Sequence, residues 1–260
     1  MKPIRIAQIS DTHLGPTAGY QLLGMDTDYS LQQVLKLFTA GEQQAELILL
    51  SGDISNNGYQ QAYQRLYQML EQRDNVVWLP GNHDSVKFMK SVCAERWFRP
   101  RIEIGNWQIV SLDSSVADSS KGALDAGQLA FLEEGLQAHP DLHTLITLHH
   151  HVLPVGSHWL DEQLLSNQQE FFELISSYPQ VKAITSGHVH QATDAQKNGV
   201  RVLTAPSTCV QFAPNSPEFL VSTEAPGLRW LDLYPDGSLQ TRVERVQNVE
   251  FHIDLAAKGY

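Results

Sequence analysis

Five short clusters of residues that can bind metals or transfer protons are spread along the first three quarters of the chain. Each cluster contains Asp, Asn or His side chains and directly follows a short apolar run. Seven of the eleven histidines fall within them. The clusters are Asp11-Thr12-His13, Gly52-Asp53, Gly81-Asn82-His83-Asp84, His149-His150-His151 and Gly187-His188-Val189-His190. This repeated placement indicates one shared site.

The residue types in these clusters point to divalent metals. Carboxylate, amide and imidazole ligands without cysteine suit Mn²⁺, Fe²⁺ and Zn²⁺. The candidate ligands are Asp11, His13, Asp53, Asn82, one of the three histidines at 149–151, His188 and His190. Seven ligands are too many for one tetrahedral zinc and suit two metals that share a carboxylate. Two metals about 3.5–4 Å apart clamp the attacking and leaving oxygens of phosphoryl transfer.

The elements that must position these clusters alternate between strands and helices. Short apolar, β-rich runs predict strands at 4–10, 46–51, 75–79, 107–112, 143–148, 181–185 and 200–204. Helical spacing of apolar residues predicts helices around 31–38, 63–70, 129–136 and 171–175. Such alternation is typical of an α/β fold with substantial parallel pairing. In α/β sheets, sites form at the carboxyl ends of the strands, where the five clusters lie.

Local signals predict where some elements begin. Asp125 with Gln128, and Asn167 with Glu170, resemble capping boxes at helix starts. The turn Pro235-Asp236-Gly237 predicts a C-terminal β-hairpin at about 228–247. Because no composition shift suggests a linker, we expect a single domain over residues 1–260.

Composition limits the possible partners and location. The net charge of −11 argues against nucleic-acid binding, although bound metals could still attract a small anionic substrate. No apolar run reaches the 18 or so residues of a membrane span, and no signal peptide is recognisable. The two cysteines, Cys93 and Cys209, are expected to be reduced thiols, so we expect a cytoplasmic protein. It could be a monomer or a homodimer.

The five clusters together resemble the motifs of the calcineurin-like binuclear metallophosphoesterases, in the order found in that family. The resemblance is nearest to the bacterial class III 3′,5′-cyclic AMP phosphodiesterases. It extends beyond the clusters to "WLPGNHD", "SHWLDEQLLSN", "STCVQF" and the tail "KGY". It implies a four-layer αββα sandwich of two mixed β-sheets flanked by helices.

The resemblance also implies a role for each residue. Asp11, His13 and His190 would bind the first metal, Asn82, His149 and His188 the second, and Asp53 would bridge both. His83 would face the phosphate and leaving group as the catalytic proton donor. His13, Asn82, His83 and His190 are expected to contact the substrate. Asp84 is expected to open the next helix or to orient His83.

One departure from the family pattern affects the second metal. The family reads His-His-Pro-Pro-x-Pro where this chain reads His149-His150-His151-Val152-Leu153-Pro154. Alignment on the last proline makes His149 the ligand and leaves His150 as the alternative.

The expected activity is hydrolysis of 3′,5′-cyclic AMP to 5′-AMP by a water activated by two metals. Fe²⁺/Fe³⁺ or Mn²⁺ are favoured, and Zn²⁺ is an alternative. The same chemistry on another phosphodiester or phosphomonoester, such as a glycerophosphodiester, is the alternative function. A scaffold that has lost its metals is disfavoured because all seven ligands and His83 are present.

Overall fold

The computed structural model describes residues 2–38, 44–93 and 96–259. Its strands are β1 (Ile4–Ile9), β2 (Gln21–Leu22), β3 (Met25–Asp26), β4 (Leu47–Ser51), β5 (Val76–Leu79), β6 (Arg101–Ile104), β7 (Trp107–Ser111), β8 (His143–Thr147), β9 (Val181–Ser186), β10 (Asp194–Lys197), β11 (Val200–Thr204), β12 (Gln211–Phe212), β13 (Val221–Ser222), β14 (Gly227–Leu233) and β15 (Leu239–Arg245). Its helices are α1 (Thr27–Leu37), α2 (Gln60–Leu70), α3 (Val86–Cys93), α4 (Ala126–Ala138), α5 (His158–Asp161) and α6 (Gln168–Ile175). All seven predicted strands form.

Two mixed sheets make up the centre of the fold. The first has the strand order β15-β14-β1-β4-β5, and the second has the order β10-β11-β9-β8-β7-β6. In the first sheet β1, β4 and β5 are parallel, and in the second β7, β8, β9 and β11 are parallel. The other strands of the two sheets pair antiparallel, including the hairpin of β14 and β15.

The two sheets pack face to face. Ile6, Leu49 and Val77 of the first sheet lie in one buried cluster with Ile109 and Leu145 of the second. Strand side chains alternate between faces, so the neighbouring residues of each strand point outward. These outward apolar faces require a further layer on each side.

Helices cover both outward faces. On the first sheet, Ile48 and Trp78 pack with Leu31 of α1 and Leu66 of α2. On the second sheet, a similar cluster joins strand residues to α4 and α6, including Val110, Ile146, Leu132 and Phe171. The predicted four-layer αββα sandwich is therefore confirmed.

A buried glutamine fixes the two sheets to each other just beneath the predicted site. The Gln8 Nε2 donates to Ser51 Oγ at 2.9 Å and to the Ser186 carbonyl at 3.1 Å. Its Oε1 accepts from Thr185 Oγ1 of the second sheet at 2.5 Å. Because the side-chain amide is satisfied on both sides, it holds the carboxyl ends of β1, β4 and β9 in register.

The two predicted helix caps have different outcomes. Asp125 caps α4, since its carboxylate accepts from the Gln128 backbone N–H at 2.8 Å. Asn167 occupies the predicted N-cap position of α6, but its side chain makes no cap hydrogen bond to the backbone of the helix. Its amide pairs instead with the backbone of Leu124, donating to the carbonyl at 2.8 Å and accepting from the N–H at 3.0 Å. Asn167 thus joins α6 to the loop before α4.

Candidate binuclear metal centre

The loops that follow β1, β4 and β9 hold their polar residues in an uncommon backbone conformation. Five of the predicted ligands have positive φ angles, namely Asp11 (55°), His13 (45°), Asp53 (50°), His188 (69°) and His190 (50°). A left-handed backbone is unfavourable for residues with a Cβ, and it persists where the surrounding structure enforces it. Such conformations concentrate at functional sites.

Two glycines allow these loops to approach each other. Gly52 has φ of +96°, and a Cβ there would overlap the ring of His149. A Cβ at Gly81 would overlap the carboxylate of Asp53. Glycine is therefore required by close packing against two predicted ligands.

The first ligand group contains Asp11, His13 and His190. The Nε2 atoms of His13 and His190 lie 3.1 Å apart, and Asp11 Oδ1 lies 3.4 Å from His190 Nε2. All three side chains are fully buried. The ligand atoms of this group lie within 4.8 Å of one another.

A second group contains Asp53, His149 and His188, again with ligand atoms within 4.8 Å of one another. Asp53 Oδ2 lies 3.2 Å from His149 Nε2 and 3.8 Å from His13 Nε2. Asp53 also belongs to a group with His13 and His83. Its carboxylate therefore lies between the two ligand sets, where a shared ligand is required.

These distances fit metal coordination. Nitrogen and oxygen ligands bound at about 2.0–2.2 Å in tetrahedral or octahedral geometry lie about 3.0–3.4 Å from each other. The closest pairs in the two groups, at 3.1, 3.4 and 3.2 Å, fall within this interval. The residues present thus form ligand groups for two divalent ions.

Buried polar atoms support the same interpretation. Among the described residues, the buried side-chain atoms without a hydrogen bond include Asn82 Oδ1, His149 Nε2 and His188 Nε2, and also His150 Nε2. Each such atom would be costly unless another partner compensates it. The first three are the atoms that the family resemblance assigns to the second metal, and a cation would satisfy all three.

Burial also sets the charge states of the ligands. It lowers the pKa of His13 to about 3 and that of His188 well below its ordinary value. Burial alone would raise the pKa of Asp53, but His149 and His83 hold it well below its usual range. Burial would lower the pKa of His149, but the Asp53 and Asp11 carboxylates raise it to about 10. Metal binding at His149 must therefore displace a proton, because only a neutral imidazole binds a metal.

Backbone carbonyls orient the imidazole rings of two predicted ligands, His149 and His190. His149 Nδ1 donates to the Ser51 carbonyl at 2.8 Å, and His190 Nδ1 donates to the Val210 carbonyl at 2.8 Å. Each bond fixes the tautomer in which Nε2 carries a lone pair. Sequence inspection did not find these partners, because a backbone carbonyl leaves no signature in residue type.

His83 lies at the edge of the ligand groups. Its ring meets His13 edge-on with centroids 5.1 Å apart, and its Nδ1 donates to the Asn56 carbonyl at 2.8 Å. Its backbone N–H donates to Asp53 Oδ1 at 2.9 Å. The ring is half-buried and lines a cleft of about 590 Å³, together with Asn82 and His188.

Asn56 connects two site histidines and was not identified from the sequence. Its Oδ1 lies 3.1 Å from His13 Nδ1, and its carbonyl accepts from His83. Its amide nitrogen donates to the Tyr20 hydroxyl at 3.0 Å, which fixes the orientation of the amide. Asn56 follows Asp53 without any recognisable motif, so only the fold reveals it.

Comparison with known proteins agrees with this geometry. The family model for calcineurin-like phosphoesterases matches residues 4–192, which include all five clusters. This chain belongs to that family. The sequence-based prediction of a metallophosphoesterase is therefore confirmed.

Two curated relatives cover almost the whole phosphoesterase chain. The 3′,5′-cyclic adenosine monophosphate phosphodiesterase CpdA of Pseudomonas aeruginosa is 38% identical over 259 residues, covering 99% of this chain and 95% of that protein. The protein of the same name from Escherichia coli K12 is 41% identical over 261 residues, with the same coverage.

Among solved structures, a dimetal phosphatase from Danio rerio has the same fold. Its TM-score is 0.66 at 14% sequence identity, over 95% of this chain and 100% of that chain. At this identity the similarity concerns the fold alone.

In the described part of the phosphoesterase, no helix has the length and apolar character to cross a membrane.

The three consecutive histidines of the phosphoesterase have different surroundings. His149 lies with Asp53 and His188, whereas His150 Nδ1 lies 2.9 Å from the Ser114 hydroxyl. The His151 ring stacks on His188, with centroids 5.7 Å apart. This placement favours His149 as the ligand, and the assignment remains a prediction.

Replacement of His149 by alanine should lower metal occupancy at one of the two sites, because it removes a nitrogen directly beside Asp53. Replacement of His150 by alanine should leave occupancy nearly unchanged and is the matched control. Elemental analysis of both variants after metal reconstitution measures the difference. The reverse ranking would move the ligand role to His150 and leave the rest of the site intact.

Asp84 has a role that sequence reasoning did not predict. Its carboxylate accepts from the backbone N–H groups of Ile54, Ser55 and Gly81 at 3.0–3.1 Å and from the Tyr63 hydroxyl at 2.9 Å. Asp84 therefore joins the loop after β4 to the loop after β5. It positions both Asp53 and Asn82 without belonging to any of the ligand groups.

Replacement of Asp84 by alanine should destabilise the phosphoesterase by several kcal/mol, because each buried donor left unsatisfied costs about 1–3 kcal/mol. Tyr63→Phe removes one donor to Asp84 and also leaves the Ser85 backbone N–H without its acceptor, so it should cost roughly 1–3 kcal/mol, less than Asp84→Ala. Thermal unfolding of both variants, with the exposed Asp141→Ala as control, measures these losses. An unchanged melting temperature in Asp84→Ala would show that the carboxylate does not hold the loops.

Proposed function

We propose that the protein hydrolyses 3′,5′-cyclic AMP to 5′-AMP with two divalent metal ions. The observation that carries the substrate class is identity of 38–41% to curated cyclic AMP phosphodiesterases over 99% of the chain. The paired ligand groups around Asp53 support a binuclear reaction. We also propose that residues 1–260 form a single catalytic domain and that it works in the cytoplasm.

Each metal would be held by side chains from several loops. Asp11, His13 and His190 would hold the first ion, with Asp53 as the shared ligand. Asn82, His149 and His188 would hold the second. Fe²⁺/Fe³⁺ or Mn²⁺ are the proposed ions and Zn²⁺ the alternative, since oxygen and imidazole ligands accept all of them.

When bound, the two ions would activate a water and stabilise negative charge on the phosphate oxygens. The chain itself supplies position and proton transfer. Asn82, His83 and His188 line the cleft, so a bound phosphate would lie beside them. Asn82 can donate from its amide nitrogen to a phosphate oxygen while Oδ1 faces the metal side.

His83 is the proposed general acid. Its Nδ1–H donates to the Asn56 carbonyl, so Nε2 can give a proton to the leaving oxygen only when the ring is protonated on both nitrogens. In cyclic AMP that oxygen is O3′, which becomes the ribose hydroxyl of 5′-AMP. An alkoxide is a poor leaving group, so this proton transfer is needed in the transition state.

A substrate panel tests the proposal. Metal-stripped protein is given Mn²⁺, Fe²⁺ or Zn²⁺ and assayed on 3′,5′-cyclic AMP, 3′,5′-cyclic GMP, 2′,3′-cyclic AMP, glycerophosphodiesters and a phosphomonoester. We expect 3′,5′-cyclic AMP to have the highest kcat/KM and 5′-AMP to be the product. Preference for a glycerophosphodiester or a monoester would assign the same chemistry to another substrate.

A further inference from the structure

The cleft that contains the candidate metal centre has a second set of lining residues with a different chemical character. Asn82, His83 and His188 line the cleft as part of the candidate centre. Trp159, Phe219 and Gln163 also line it. None of these three residues has a part in metal binding or proton transfer.

The side chains of Trp159 and Phe219 belong to a packed aromatic cluster. The Trp159 and Phe219 ring centroids lie 5.1 Å apart, and both rings pack on Phe212, at 5.0 and 5.4 Å. Phe212 is 2% exposed and stacks on the ring of His190, with centroids 4.3 Å apart and planes 12° apart. Trp159 and Phe219 are half-buried. The cluster therefore extends from His190, a proposed metal ligand, to the accessible rings of Trp159 and Phe219, which together are called the aromatic wall.

Hydrogen bonds hold this wall in place. Trp159 lies on the short helix α5, and the carboxylate of Asp161 on the same helix accepts from the Val155 and Gly156 N–H groups at 2.7 and 3.1 Å. The N–H of His158 donates to the Ser216 carbonyl at 3.1 Å. The wall is thus preorganised, which lowers the entropic cost of binding a flat ligand.

The charges of the residues that line the cleft indicate which class of ligand it can bind. Among the described residues that line it, none is Lys or Arg, and Asp118 is acidic. A second anionic group outside the metal centre would be unfavourable there. An uncharged, flat group with polar edges suits an aromatic wall with a neighbouring amide.

We propose that Trp159 and Phe219 form the base-binding wall of the cleft and that Gln163 recognises the edge of an adenine. This inference rests on the proposed cyclic-nucleotide activity and adds the residues that determine its specificity. The purine would stack on the aromatic wall while the cyclic phosphate lies beside Asn82 and His83. Trp159 and Phe219 would hold the substrate without taking part in the chemical step.

The hydrogen bond made by Gln163 gives the site its preference. Its Nε2 donates to the Trp159 carbonyl at 3.2 Å, so the amide presents Oε1 as an acceptor. Adenine carries an amino donor at position 6, where guanine carries a carbonyl acceptor. An acceptor at this point therefore favours cyclic AMP over cyclic GMP.

The test of the wall compares two substrates of the metal-loaded protein. One is 3′,5′-cyclic AMP, and the other is methyl riboside 3′,5′-cyclic phosphate, which has the same ring and no base. Trp159→Ala should lower kcat/KM for cyclic AMP by about 5- to 150-fold, mainly through KM, because stacking on an aromatic side chain is lost. Activity on the base-free substrate should not change.

Three further variants make the comparison specific. Trp159→Phe keeps an aromatic face and should restore most of the affinity. His158→Ala changes the exposed neighbour on α5 and should behave as the parent. Phe219→Leu should lower kcat/KM for cyclic AMP alone. Melting temperatures show that each variant is folded.

The test of Gln163 uses the preference between nucleotides. Gln163→Leu should reduce the ratio of kcat/KM for cyclic AMP to that for cyclic GMP by about 3- to 10-fold, the effect of one lost hydrogen bond. Gln163→Glu keeps an acceptor but loses the Nε2 donor to the Trp159 carbonyl, so it should retain only part of the preference for adenine.

The outcomes separate this inference from the activity on which it rests. If the parent hydrolyses both cyclic phosphates with equal kcat/KM, the base site is wrong and the phosphodiesterase activity stands. Equal losses on both substrates in Trp159→Ala would make the wall structural and overturn the inference. If the parent hydrolyses neither substrate, the proposed function fails and the inference fails with it.

Discussion

Replacement of Asp53 by alanine is expected to remove both metal ions, whereas His13→Ala should weaken mainly one. Asp53 Oδ2 lies 3.2 Å from His149 Nε2 and 3.8 Å from His13 Nε2, so its carboxylate faces both ligand groups. Without it, the second group loses its only carboxylate, and the first group keeps Asp11 alone as an anionic ligand. Metals contribute several kcal/mol of transition-state stabilisation. Activity should therefore fall by roughly 10³-fold or more, since about 1.4 kcal/mol corresponds to tenfold in rate.

Elemental analysis of reconstituted protein measures this effect directly. The parent should approach two equivalents of metal per chain, and Asp53→Ala should approach none. Asp232→Ala is the control, because Asp232 is also largely buried and pairs with Arg5, away from the site. Two equivalents retained in Asp53→Ala would contradict a bridging role. One equivalent in the parent under every condition would contradict the binuclear centre itself.

The central strands and the positions of the clusters could be predicted from the sequence. The strand run at 46–51 illustrates why, since β4 forms at Leu47–Ser51 and every residue in it is buried. A fully buried parallel strand has a nearly continuous apolar run, which is distinct even in a single sequence. Polar residues directly after such a run must then lie at the carboxyl edge of the sheet.

The two edge strands of the second sheet, β10 and β6, were not predicted, for the opposite physical reason. β10 (Asp194–Lys197) is mostly exposed and polar, and β6 (Arg101–Ile104) contains Arg101 and Glu103. An edge strand pairs with a neighbour on one side only and buries little of its surface. Its sequence therefore does not need the apolar residues that mark a central strand. Their strand geometry comes from the neighbouring strands β11 and β7, which no local pattern reveals.

Polar side chains whose partners are distant in the chain were also beyond local sequence reasoning. Asn167 resembles a helix cap, but its amide pairs with Leu124, 43 residues away in the chain. Asn56 and Asp84 act through atoms that the fold brings together, including backbone N–H groups and carbonyls. The ligands themselves could be recognised because their residue types are rare in combination, whereas their supports are common polar residues.

His83→Ala should keep both metals and lose about 10²–10⁴-fold in kcat on 3′,5′-cyclic AMP, the usual contribution of general acid catalysis. The structure favours this separation between metal binding and proton donation. His83 contacts Asp53 through its backbone N–H at 2.9 Å, which the substitution retains. Its side chain borders the cleft, where a leaving oxygen would need a proton.

A substrate that does not need the proton distinguishes proton donation from charge stabilisation. The p-nitrophenolate of bis-p-nitrophenyl phosphate departs without protonation, so the loss in His83→Ala should be much smaller on it. Asn57→Ala, which changes another polar residue of the cleft, is the control and should affect both substrates little. Metal content is measured for each variant, because Asn56 contacts both His83 and His13 and could transmit a change to the ligands. An equal loss on both substrates with full metal content would assign His83 to stabilising charge at phosphorus, and unchanged activity on both would remove it from the mechanism.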